Sequence, residues 1–179
     1  MKGVFWKEGE AFTNSMSLIV SLLVRYPAIA TVSFDPRHKS LQFTFVIARP
    51  LAKEEFEPLH RTVTDSLEVA AVLNGRAPRI LKMTCSAHEG MSFLEVKRDV
   101  DSLMPEEIAL LTTLIDQHFE KDLVREQDET LEEEDQALQE EMIEHMLEDL
   151  KDSRPEKKLI GFREDGRVMV FNRASLQHK

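Results

Sequence analysis

Three short spacings in this chain bring metal-ligating or nucleophilic side chains near one another. Cys85-Ser86-Ala87-His88 has the spacing of half a zinc site. A closed zinc centre takes four ligands and an open one takes three from the protein. Cys85 is the only cysteine and no second Cys–His pair accompanies it, so a buried strand cysteine beside a turn histidine is the expected role. Glu57-Pro58-Leu59-His60 matches the Glu-x-x-His step of di-metal helix bundles. Such bundles need two copies and two further glutamates on facing helices. Here there is one copy, interrupted by proline. Glu141 and His145 sit one helical turn apart, where a solvated ion pair is the ordinary outcome. His118, beside the apolar stripe of its own helix, reads as a satisfied boundary residue.

The six glycines are scattered and make no phosphate cradle or dinucleotide fingerprint. No serine has the surroundings of a nucleophile elbow. Catalytic carboxylates need differing, partly buried environments, and the crowded acids after Glu120 do not select a pair. No catalytic, cofactor-binding or metal-binding residue is therefore assigned, and a non-catalytic protein is expected. An enzyme without a recognisable motif is a second alternative.

The elements that would carry any site read as α+β. Asn14 or Ser15 caps a helix over Met16 to Arg25, stopped by Pro27. Ala28 to Phe34 and Leu41 to Ala48 alternate with period two around a polar turn, which predicts a β-hairpin. A helix over Ala52 to Leu73 buries Phe56, Leu59, Val63, Leu67 and Ala70. Pro58 suits only its beginning, near Glu55 to Glu57, and Asn74-Gly75 ends it. Arg79 to Ser86 and Met91 to Lys97 form a second extended pair, joined around His88-Glu89-Gly90. Pro105 opens the next helix, whose buried face is Ile108, Leu111, Ile115, Phe119 and Leu123. Phe5 and Trp6 read as a strap across the core.

The order helix, strand, turn, strand occurs twice. Leu18 corresponds to Leu67, Val32 to Leu81, Phe34 to Met83 and Phe43 to Phe93, about fifty residues apart. With poor identity between the halves, recurrence of a common α+β unit is the plainer reading. The predicted core is a mainly antiparallel sheet of two hairpins with helices on one face, in the order α-β-β-α-β-β-α, over residues 1–125. Its other face carries Thr31, Ser33, Gln42, Thr44, Lys82 and Thr84.

Charge divides the remainder of the chain in two. Glu120 to Glu156 holds sixteen acidic and four basic residues, a net of −12, and Lys157 to Lys179 holds six basic and two acidic, a net of +4. The whole chain carries −10. Asp128 to Asp152, free of Gly and Pro, predicts a long acidic helix within residues 126–156. Leu131, Leu138, Met142, Met146 and Leu150 line one side, widened by Ala137, Ile143 and Leu147. Like charges at i, i+4 oppose such a helix, so its stripe must bury itself against its own domain, a second copy or a groove of a different protein, or order only when a partner arrives. Residues 157–179 predict a basic hairpin turned by Asp165-Gly166. Its register sets Glu164 against Arg167, Phe162 against Met169 and Ile160 against Phe171.

The stripe and the hairpin residues Ile160, Phe162, Met169 and Phe171 are the expected contact surface. They point to a protein acting through protein contacts, as a homo-oligomer (a dimer) or with another protein. A secondary possibility is RNA or ribosome association through Lys157, Lys158, Arg163, Arg167 and Arg173. No apolar stretch is long enough to span a bilayer, and one cysteine suits a reducing cytoplasm. No cofactor is implied.

Overall fold

The computed structural model describes residues 4–5, 14–125, 133–152 and 157–172. Its strands are β1 (Val4–Phe5), β2 (Thr31–Asp35), β3 (Ser40–Ile47), β4 (Leu81–His88), β5 (Met91–Asp99), β6 (Leu159–Glu164) and β7 (Arg167–Asn172). Its helices are α1 (Asn14–Arg25), α2 (Lys53–Leu73), α3 (Pro105–Phe119) and α4 (Glu133–Lys151). The strands form one sheet in the order β1-β7-β6-β2-β3-β5-β4. Every neighbouring pair is antiparallel except the two-residue β1, which runs parallel to β7. The α+β fold and its order of elements agree with the sequence pattern.

Alternation sorts the strands cleanly. Val32, Phe34, Leu41, Phe43, Phe45, Ile47, Leu94 and Val96 point into a core capped by the helices. α3 buries Ile108, Leu111, Ile115 and Phe119, as its periodicity requires. α2 begins earlier than Pro58 allows for a regular start, so this proline lies inside the helix. It is the sixth helical residue, past the N–H groups a helix start leaves unpaired, so it removes one ladder bond, to the Glu54 carbonyl.

The C-terminal hairpin is no appendage. β6 pairs with β2, with Thr31 opposite Phe162 and Phe34 opposite Leu159, so residues 157–172 extend the core sheet. The register within the hairpin is the expected one: Ile160 faces Phe171, Phe162 faces Met169, and Glu164 faces Arg167. Asp165 and Gly166 both have positive φ, 51° and 75°, as the two-residue turn demands.

The hairpin face that the sequence marks as a contact surface is not the one the helices bury. The helix-facing residues of the hairpin are Leu159, Gly161, Val168 and Val170, all buried. Ile160, Phe162, Met169 and Phe171 lie half-buried on the opposite side of the sheet. Both faces are apolar, so alternation alone does not rank them. Gly161 decides it, because α1 crosses directly over this residue. A Cβ there would overlap Cγ2 of Ile19 and lie 3.2 Å from Cδ1 of Leu23.

α4 docks on its own chain, mainly against α1. Arg25 reaches Glu140 at 2.7 Å and the Lys39 ammonium donates to the Lys151 carbonyl. The buried line is Ile143, Leu147 and Leu150, with Met146 partly covered. Leu138 and Met142, expected on the buried stripe, remain 56% and 45% exposed. The helix is rotated about its axis so that Ile143 and Leu147 lead, which also seats Glu140 against Arg25. Leu131 lies outside the described residues.

Gly161→Ala should lower stability by about 1–3 kcal/mol, the range for overpacking a close-packed contact. Urea unfolding measures it, and a neutral result would mean α1 does not press on β6.

Candidate interaction surface

Two clusters of charged side chains tie strands to helices. The first is fully enclosed. Arg98 is 1% exposed at the end of β5. Its guanidinium donates to both Glu107 carboxylate oxygens at 2.8 Å, to Asp99 at 2.6 Å and to the Ser102 hydroxyl at 2.9 Å. It also donates to the carbonyls of Ile80 and Ser102. Asp99 in turn accepts from the backbone N–H groups of Arg79, Ile80 and Ser102. Burial pushes the Asp99 carboxyl up, but those N–H donors and the Arg98 charge outweigh it and hold it below its ordinary value. The guanidinium is bonded on all three nitrogens to groups of the protein, so the cluster is a structural joint. No motif in the sequence announces it, yet a signal is present: Arg98 is in phase with Leu94 and Val96 on the core side of β5.

The second cluster is half-exposed. Arg49 grips both Glu55 oxygens at 2.8 and 2.7 Å and reaches Asp122 at 2.9 Å. His118 sits 2.8 Å from Glu55. The hydrogen bonds from Arg49, opposed by partial burial and helped by His118, pull the Glu55 carboxyl down to about 2. This network fastens the start of α2 to the end of α3.

The short metal-like spacings do not converge. Cys85 and His88 differ in parity along β4 and project to opposite sides of the strand. Burial pushes the Cys85 thiol up, which keeps it protonated at neutral pH. His60 contacts the Phe56 ring, and His145 sits 3.8 Å from Asp149. Among the described residues, no three His, Cys, Asp or Glu gather as a metal site. No helix among them is long and apolar enough to cross a membrane.

The basic residues also disperse. Arg163 turns inward and donates to the carbonyls of Leu23 and Tyr26, at 3.3 and 2.9 Å, and to that of Ile29. It therefore caps the end of α1. Lys158 lines a shallow polar cleft on the open sheet face with Asp35, Gln42 and Lys97. Lys157 and Arg167 are exposed at the two ends of the hairpin. Arg173 lies outside the described residues.

What gathers instead is apolar. On the open face, register brings Ile160, Phe162, Met169 and Phe171 into one block, with the rings of Phe162 and Phe171 stacked at 5.6 Å. A second apolar surface lies at the far end of α2, where Val69, Val72 and Leu73 are 56%, 61% and 80% exposed. No family model, curated protein or solved structure matches this chain.

Two outcomes test these clusters. Glu107→Ala strips the buried guanidinium of one of its two carboxylate partners and should cost about 3–5 kcal/mol, while Arg98→Met with Glu107→Leu should recover most of it; urea titration reads both. For Glu55, the native carboxyl stays ionised while the unfolded one protonates below its ordinary value near 4.5. The unfolded state then binds more protons, so stability contributed by this group is present above that value and is lost as pH falls towards 2. Glu55→Gln should flatten that acid limb when unfolding is measured across pH.

Proposed function

We propose that this protein is non-catalytic and works through protein–protein contacts, self-association among them. One observation carries the reading: the open sheet face presents Ile160, Phe162, Met169 and Phe171 as a contiguous block that no described helix covers. Stacked aromatic and methionine side chains on a rigid sheet suit recognition of another protein surface. The charged clusters add support from the other direction. Their groups are matched to one another and hold α2, α3 and β5 in place.

The basic hairpin favours nucleic acid less than its composition suggests, because Arg163 is engaged with three backbone carbonyls.

Light scattering at micromolar concentration, paired with capture from a cell lysate, tests the proposal. A species heavier than one chain, or a captured protein lost on Phe162→Asp, is expected. A strict monomer that captures nothing overturns it.

A further inference from the structure

The strand order β2-β3-β5-β4 sets the two helix–hairpin units side by side across the antiparallel β3–β5 pair. β2 and β4 are then equivalent outer strands. β2 is covered along its outer edge by β6. β4, eight residues long, has no strand beyond it among the described residues. The opposite edge of the sheet is blunted by the two-residue β1.

The helices repeat the contrast. α1 holds the added strand through Ile19 and Leu23, which press on Gly161. The offset of 49 that takes Leu18 to Leu67 takes these two residues to Glu68 and Val72. Glu68 and Val72 line an open groove of about 480 Å³ beside β4, with His60, Thr64, Pro78 and Leu81. The second unit thus has the seat for an added strand and, among the described residues, no strand in it.

Resting on the self-association proposed above, we infer that the seat is filled by β4 of a second copy, antiparallel about a two-fold axis through Thr84. The geometry selects this register. The Asp99 N–H donates to the Ile80 carbonyl, so Ile80 and Asp99 are a hydrogen-bonded pair of the β4–β5 ladder. By alternation, Leu81, Met83, Cys85 and Ala87 turn their N–H and C=O groups outward. A two-fold axis perpendicular to the sheet keeps each side chain on its own face, so only registers centred on a residue are possible. Centring on Thr84 pairs Leu81 with Ala87 and Met83 with Cys85, and every outward group of both strands is bonded. Centring on Met83 or Cys85 strands one end of β4 against residues outside it. Thr84 meets Thr84 across the axis, and Lys82 meets Ser86 rather than its own copy.

Charge argues for a copy of this chain in particular. At −10 overall, two copies repel wherever their acids meet. α4 packs mainly on α1, with fewer contacts to α3 and to the turn that follows β5. β4 carries one formal charge at neutral pH, Lys82, and the groove carries one, Glu68.

The test uses full-length chain with Cys85→Ser as background and oxidised glutathione as oxidant. Thr84→Cys should give a covalent dimer, since facing Cα atoms of a non-hydrogen-bonded pair fall within disulfide reach. Lys82→Cys should cross-link at least roughly tenfold more slowly, because its copy lies about 14 Å along the strand. Cys85→Pro, which removes an outward N–H and no bond to β5, should abolish the dimer on light scattering with the circular dichroism unchanged. A dimer indifferent to Cys85→Pro, or one in which Lys82→Cys cross-links as fast as Thr84→Cys, overturns this interface and leaves self-association standing. A monomeric parent overturns both.

Discussion

The enclosed ion cluster around Arg98 is the constraint on which the architecture turns. A guanidinium taken wholly out of water is tolerated only when all its donors are met. Meeting them fixes four pieces of chain at once: the start of β4 at Ile80, the end of β5 at Asp99, the turn at Ser102 and the first turn of α3 at Glu107. Glu107 also lies near the positive end of α3, where a carboxylate is favoured in its own right. The crossing from sheet to helical layer is thereby specified by electrostatics as much as by packing. A shift of β5 by one residue would put Lys97 into the core and Arg98 outside it.

Around that joint the chain uses one arrangement twice and finishes it once. The first helix–hairpin unit is completed by the C-terminal hairpin, which lies against β2 under α1. The second unit has an equivalent strand and an equivalent helix, with β4 at the rim of the sheet. The sequence correspondences follow this relation in part. Leu18 and Leu67 are buried alike, and Phe34 and Met83 both face the core. Phe43 and Phe93 do not correspond, since Phe43 is in the core and Phe93 is on the open face. The second hairpin is longer, which moves its return strand out of step.

Much of this was legible from residue patterns because the signals were local. Alternation in 41–48 and the Asp165-Gly166 turn each encode a backbone geometry directly, and strand limits and register come with it. What was hidden depends on contacts between distant segments. Which face of β6 is inside is decided by α1, some 140 residues earlier, through the space that Gly161 lacks. The rotation of α4 is set by Arg25 and Lys39, so a stripe counted from Leu and Met positions places Leu138 and Met142 on the wrong side. Arg163 looks like a surface cation because its acceptors, the carbonyls of Leu23, Tyr26 and Ile29 at and just past the end of α1, carry no trace in the hairpin's own sequence. The cluster at Arg98 could have been anticipated: a charge in phase with core residues must find partners or move.

The inward turn of Arg163 has a bearing on how the chain comes together. The end of α1 and the outer edge of β2 are both satisfied by residues 157–172, which a ribosome delivers long after the first helix has emerged. Until then, a nascent chain displays an open strand edge and uncapped carbonyls, the two features most prone to mispairing with neighbours. Premature release before β6 would leave the earliest-made part of the sheet its most vulnerable part.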